Sequence, residues 1–119
     1  MKQVFSILFA LVVLLSSYKP RQGVSVTFKN ASNEKFLEVN AWIMGEKYDF
    51  FNINVGDSTN ALLVPQIYSA CTIRVTTSKG KLSFLPVDHV GETAITSGKK
   101  TISLKIVTDP NGKRRLDVQ

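Results

Sequence analysis

The one histidine of the chain, His89, lies in the run Asp88-His89-Val90-Gly91-Glu92. An imidazole between carboxylates could ligate a metal ion or act as an acid–base pair, because its charge changes near neutral pH. Zinc, however, takes three or four protein ligands, and no other cysteine or histidine spacing here supplies them. Serine-hydrolase chemistry would need an elbow-type serine, and no Gly-x-Ser-x-Gly run exists. A small hydrolase or metal-dependent enzyme using His89 is therefore the competing expectation, and a solvated loop histidine the favoured one. No catalytic residue, metal ligand or cofactor is expected.

Cys71 is the sole cysteine and cannot close a disulfide within the chain. It alternates with Ile73 and Val75, which places it on a buried strand face as a small core hydrophobe. A nucleophilic thiol would need exposure and an activating base, and the pattern supports neither.

The aromatic residues say more. If Leu37 and Val39 face the core opposite Ile53 and Phe51, the same register sets Trp42 opposite Tyr48 and Asn40 opposite Phe50. Trp42, Tyr48 and Phe50 then share the outer face of a two-strand ribbon, an arrangement that marks a partner or ligand surface. A bulge at Phe50-Phe51 would instead turn Phe50 inward. These three aromatics are the expected binding residues, for a protein or glycan partner.

Lys79 and Lys81 flank a turn glycine, while Lys99, Lys100, Lys105, Lys113, Arg114 and Arg115 lie along the last two expected strands. A polyanion-binding adhesin would use such side chains. Asp109 and Asp117 interrupt the set, and no aromatic interleaves with it as base stacking would require, so nucleic acid is not expected. Lysines on an edge strand also discourage sheet-to-sheet aggregation, the preferred reading of this group. Asn30-Ala31-Ser32 matches the glycosylation acceptor pattern, which matters only in a eukaryotic secretory pathway.

The elements that must position these residues follow from periodicity. A chain of 119 residues supports one domain, and 44% hydrophobic with 20% charged residues is globular rather than disordered composition. Val4 to Leu15 is apolar except for Ser6, follows Lys2 and precedes Ser16-Ser17. That run suits a signal-peptide core and is short for a membrane span, which needs roughly 18 residues or more. Residues 1–17 are expected to be a signal peptide, 18–23 a polar tether and 24–119 a single β-sandwich domain, secreted or periplasmic. Membrane attachment would follow only if the signal segment stays uncleaved. Without residues 1–17 the chain keeps 14 of its 15 basic residues against 9 acidic ones, a moderate cationic excess.

From Val24 onward the apolar residues alternate with period two, the mark of strands with one buried face. Strands are expected around Val24–Phe28, Leu37–Ile43, Lys47–Val55, Ala61–Val64, Cys71–Thr76, Leu82–Phe84, Ile102–Ile106 and Leu116–Val118, with a fragment at Thr93–Ile95. Phe51, Ile53 and Val55 are expected on one buried face. Asp109-Pro110-Asn111-Gly112 suits a type I turn followed by a left-handed glycine. A three-residue loop there sets Ile106 against Leu116, Leu104 against Val118 and Lys105 against Asp117. Slipping by one residue would turn the apolar set to the wrong face.

These short strands predict an all-β fold, an antiparallel β-sandwich of seven or eight strands. Immunoglobulin-like topology is the first expectation, with a transthyretin-like sandwich or a small barrel as alternatives. Trp42 invites comparison with the core tryptophan of antibody domains. The paired cysteines are absent, however, and Tyr68 lies three residues before Cys71, where a tyrosine corner has two. The expected function is that of an exported, non-enzymatic binding or envelope-accessory module.

Overall fold

Period-two alternation becomes eight strands in the computed structural model, which describes residues 23–86 and 91–119. They are β1 (Gly23–Asn30), β2 (Phe36–Ile43), β3 (Glu46–Ile53), β4 (Leu62–Val64), β5 (Thr72–Thr77), β6 (Gly80–Phe84), β7 (Ser97–Thr108) and β8 (Arg114–Val118). The expected signal peptide, nearly all of the tether, and His89 with Asp88 lie outside the described residues. Residues 93–95 form no strand; Ile95 makes a single antiparallel bridge to Ile67.

Two four-stranded sheets pack face to face, ordered β4-β1-β7-β8 and β3-β2-β5-β6. The fold is an all-β sandwich, antiparallel except where β1 and β7 run parallel over Gly23–Asn30 and Ser97–Leu104. Its core is built from alternate residues of both sheets. Val24, Val26, Phe28, Ile102 and Leu104 from one meet Val39, Ala41, Ile73 and Val75 from the other, all at most 1% exposed. In an immunoglobulin domain the first two strands share a sheet. Here β1 and β2 lie in different sheets, so the expected immunoglobulin order is not the observed one.

The β7–β8 hairpin has the register expected from its turn, with Leu104 opposite Val118, Lys105 opposite Asp117 and Ile106 opposite Leu116. The Asp109 carboxylate accepts from the Asn111 and Lys113 amides at 2.9 Å each, and the Gly112 amide donates to the Asp109 carbonyl at 2.9 Å. β7 lies between β1 and β8 in the sheet order, pairing β1 over Ser97–Leu104 and β8 over Leu104–Thr108, so Lys99 and Lys100 have a strand neighbour on the β1 side alone. The edge placement holds for β8, and for Lys81 on β6 at the edge of the other sheet.

The β2–β3 hairpin differs from expectation by one residue. Met44 and Gly45 both take positive φ, 50° and 84°, the two-residue turn whose twist suits a hairpin. That shorter turn pairs Val39 with Phe50, Ala41 with Tyr48 and Trp42 with Lys47. Phe51 is left 61% exposed and Val55 54% exposed, contrary to the expected buried face. Asn52, at φ 57°, then breaks the alternation, so that Ile53 and its partner Phe36 turn inward while Leu37 turns out.

A polar clasp closes one end of the sandwich. Arg114 of β8 donates to both carboxylate oxygens of Glu34, at 2.7 and 2.8 Å, and lies 3.4 Å from the Thr77 hydroxyl and the Lys79 carbonyl. Burial works against charge on Glu34, but hydrogen bonds from Arg114 and Thr77, with the charges of Arg114 and Lys79, outweigh it and lower its pKa. A carboxyl held below its unfolded value stabilises the fold above that value. The contribution fades as pH falls through the folded pKa. Glu34→Gln should cost about 1–3 kcal/mol at pH 7, as for a hydrogen bond to a charged group. The deficit relative to wild type should shrink in denaturant melts taken from pH 7 down to about pH 3. A constant deficit would assign the clasp to packing instead.

Candidate functional site

On the outer face of the second sheet, β2 presents Glu38, Asn40 and Trp42, between Lys47, Asp49 and Phe51 of β3 and Thr72, Arg74 and Thr76 of β5. Trp42 is outward because Val39, Ala41 and Ile43 point into the core. Its indole is flanked from both neighbouring strands. The Lys47 ammonium lies 5.8 Å and the Arg74 guanidinium carbon 5.2 Å from the ring centroid. Cations within about 6 Å of an indole are attracted by its ring quadrupole, so the pair holds the side chain in one place.

Asn40 is nearly buried beneath this layer, and its amide nitrogen donates to Glu38 Oε1 at 2.9 Å and Asp49 Oδ1 at 2.6 Å. Lys47 also lies 3.5 Å from Asp49. The face is thus a connected polar layer around one aromatic ring.

The expected three-aromatic patch is not formed. Tyr48 and Phe50 lie opposite Ala41 and Val39, on the inner side, and pack against the core. The Phe50 ring sits 5.6 Å from that of Phe28, centroid to centroid, tilted by 52°. With Phe50 and Phe51 adjacent, only one can face in, and the two-residue turn selects Phe50. Of the three, Trp42 alone has the outward placement.

What replaces the patch is a cleft of about 200 Å3 at the end of the sandwich beside Trp42. Its walls include Met44, Ile67, Tyr68, Cys71 and Pro86. Met44 reaches it from the β2–β3 turn, Ile67 and Tyr68 from the β4–β5 connection and Pro86 from beyond β6. The Ile67–Ile95 bridge, with amide–carbonyl distances of 3.0 and 2.7 Å, anchors that connection. The Ser69 amide donates to Glu92 Oε1 at 2.6 Å nearby. Sequence periodicity could not find this cleft, because it joins the ends of β2 and β5 to loop residues brought together only by folding.

Cys71 lies in the wall but is 6% exposed. Burial pushes its thiol up to about 11, against the opposing charge of Lys100. At neutral pH it is a protonated thiol and part of the apolar wall. Among the described residues no three His, Cys, Asp or Glu side chains lie together in a way that could hold a metal ion. The volume is below the roughly 300–1,000 Å3 usual for small-molecule pockets, and fits a single side chain or ring better than a whole ligand.

No family model matches the chain, and no curated protein matches its sequence. Among solved structures it is similar to an NMR structure of a protein from Eubacterium rectale. The likeness has a TM-score of 0.59 at 11% identity and covers 86% of this chain and 93% of that one. It is a likeness of fold alone.

Proposed function

We propose that this protein is an exported, non-enzymatic binding module that takes an apolar or aromatic group of a protein or glycan partner into the cleft beside Trp42. The observation that carries the reading is the indole itself, turned outward at an apolar cleft and held by Lys47 and Arg74. Large aromatics in fixed positions commonly dominate binding energy at interfaces. Export rests on the hydrophobic run at Val4–Leu15. The absence of a catalytic role rests on the protonated state of Cys71 and on the poor ligand spacing around His89. Of the topologies expected, neither the immunoglobulin order nor a single closed barrel fits two separate sheets with β1 and β2 apart. The connectivity is read as the remaining one, transthyretin-like.

Trp42→Ala should weaken partner binding by about 2 kcal/mol or more, on the order of thirtyfold. It should cost the fold only about 0.5–2 kcal/mol, since the ring is half-buried and its cation contacts are individually small. Cross-linking in the native host, followed by quantitative comparison of wild type, Trp42→Ala and Lys81→Ala, reads this directly. A partner lost only with Trp42→Ala is the expected result, and identical sets from all three proteins would overturn it. Trp42 is the sole tryptophan, so its emission reports the same site without a label.

A further inference from the structure

The fold sorts the cationic excess onto one side. On the outer face of the β4-β1-β7-β8 sheet, β1 turns out Ser25, Thr27 and Lys29, and these pair with Lys99, Thr101 and Ser103 of β7. Further along, Lys105 lies beside Asp117, and Val107 beside Arg115. This face carries four cations, Lys29, Lys99, Lys105 and Arg115, all exposed, against the single carboxylate of Asp117. The opposite sheet's outer face sets Lys47, Arg74 and Lys81 against Glu38 and Asp49 and is nearly balanced.

The set is not the one expected from the sequence. Arg114 is committed to Glu34. Lys100 is half-buried and acts on Cys71. Lys29 joins from a strand some 70 residues away, through its pairing with Ser103. Lys29, Lys105 and Arg115 then form a diagonal row across β1, β7 and β8, each step being a diagonal neighbour about 7–8 Å away. Edge protection accounts for Arg115 on the edge strand β8 but not for Lys29, which pairs with Ser103 on one side and bridges to Ser58 on the other.

We propose that this face is a second binding surface, for a linear anionic polysaccharide lying across the sheet with its acidic groups along the Lys29–Lys105–Arg115 diagonal. Charge complementarity selects an anion, and the regular spacing selects a polymer rather than a single ion. The floor between the cations selects the class of polymer. It is lined by Ser25, Thr27, Thr101 and Ser103, with the Thr27 and Thr101 hydroxyls 3.2 Å apart. Hydroxyls of this kind hydrogen-bond to sugar hydroxyls. The face has no aromatic ring on which a nucleic-acid base could stack. Leu63 and Val107 stand apart on it and form no apolar stripe for insertion into a bilayer. Asp117, opposite Lys105, weakens the row at its centre.

The test uses the purified protein with heparin, which bears sulfates and carboxylates, and with polygalacturonate, which bears carboxylates alone. A triple variant, Lys29→Gln with Lys105→Gln and Arg115→Gln, should lose about tenfold or more in affinity at 0.1 M salt. The slope of log Kd against log salt should fall by about two to three, one unit for each cation removed. A control with the same charge change, Lys35→Gln with Lys79→Gln and Lys81→Gln, should keep most of its affinity. Asp117→Asn should strengthen binding about two- to fivefold, a gain that partial unfolding cannot produce. Binding to both polymers, or to either alone, supports the proposal and identifies the acidic group. Equal losses in the two triple variants would reduce the effect to net charge and overturn it. So would tighter binding to single-stranded DNA or to anionic phospholipid vesicles. None of these outcomes depends on Trp42, so this surface and the cleft can fail separately.

Discussion

Replacing Asn30 by alanine should cost about 3–5 kcal/mol, a large part of the stability of a domain this size. Asn30 is fully buried at the end of β1, where the chain crosses from one sheet to the other. Its amide nitrogen donates to the Glu34 carbonyl at 2.8 Å and the Ile53 carbonyl at 3.0 Å. Its side-chain oxygen accepts from the Ser32 amide at 3.0 Å and the Ser32 hydroxyl at 2.7 Å. Every polar position of the side chain is therefore used. Alanine would leave the buried Ile53 carbonyl and the part-buried Ser32 amide unpaired, each worth about 1–3 kcal/mol, and open a small void.

The sharper variant is Asn30→Asp, which is nearly isosteric. It turns a donor toward two carbonyls into a charged acceptor, so the introduced carboxyl should have a raised folded-state pKa. Such a group is least harmful when protonated, so this variant should lose stability as pH rises from about 4 to 7. Denaturant melts across that range measure it, and a pH-independent loss would show that the amide's donors are not the cause. The same hydrogen bonds decide the fate of the glycosylation pattern. Both hydrogens of the Asn30 amide are engaged inside the fold, so the native domain has no room for a glycan there.

Leu104→Ala should cost about 2–5 kcal/mol, and Lys105→Ala less than about 1 kcal/mol. Leu104 is fully buried between Asn30 of β1 and Val118 of β8. Its truncation leaves a cavity between the two sheets that cannot close without shifting paired strands. Lys105, the next residue, is exposed opposite Asp117. Adjacent residues with opposite fates are a direct measure of register, read from denaturant midpoints of the two variants. Comparable losses at both would mean that β7 is turned over.

The strands and the faces of most of them are legible in the sequence, because alternation is local and a one-residue slip is costly wherever one face is buried. So is the β7–β8 register, since proline, asparagine and glycine restrict the turn and leave one pairing that keeps Leu104 and Leu116 inside. The outward placement of Trp42 was legible for the same reason, from Val39, Ala41 and Ile43 beside it.

Tertiary structure decided what depends on distant partners. The turn at Met44-Gly45 carries no strong signal, and Phe50 and Phe51 are equally apolar. The register set by the two-residue turn carries Phe50 inward against Phe28, with Tyr48 on the same side, and leaves Phe51 exposed. Whether β7 lies at an edge or between two strands depends on the parallel pairing with β1, which no local pattern encodes. Asn30-Ala31-Ser32 reads as an exposed polar turn until the crossing between sheets buries it. The cleft beside Trp42 and the Lys29–Lys105–Arg115 row each join residues from separate segments of the chain. They exist because strand order, and not sequence order, sets which side chains are neighbours.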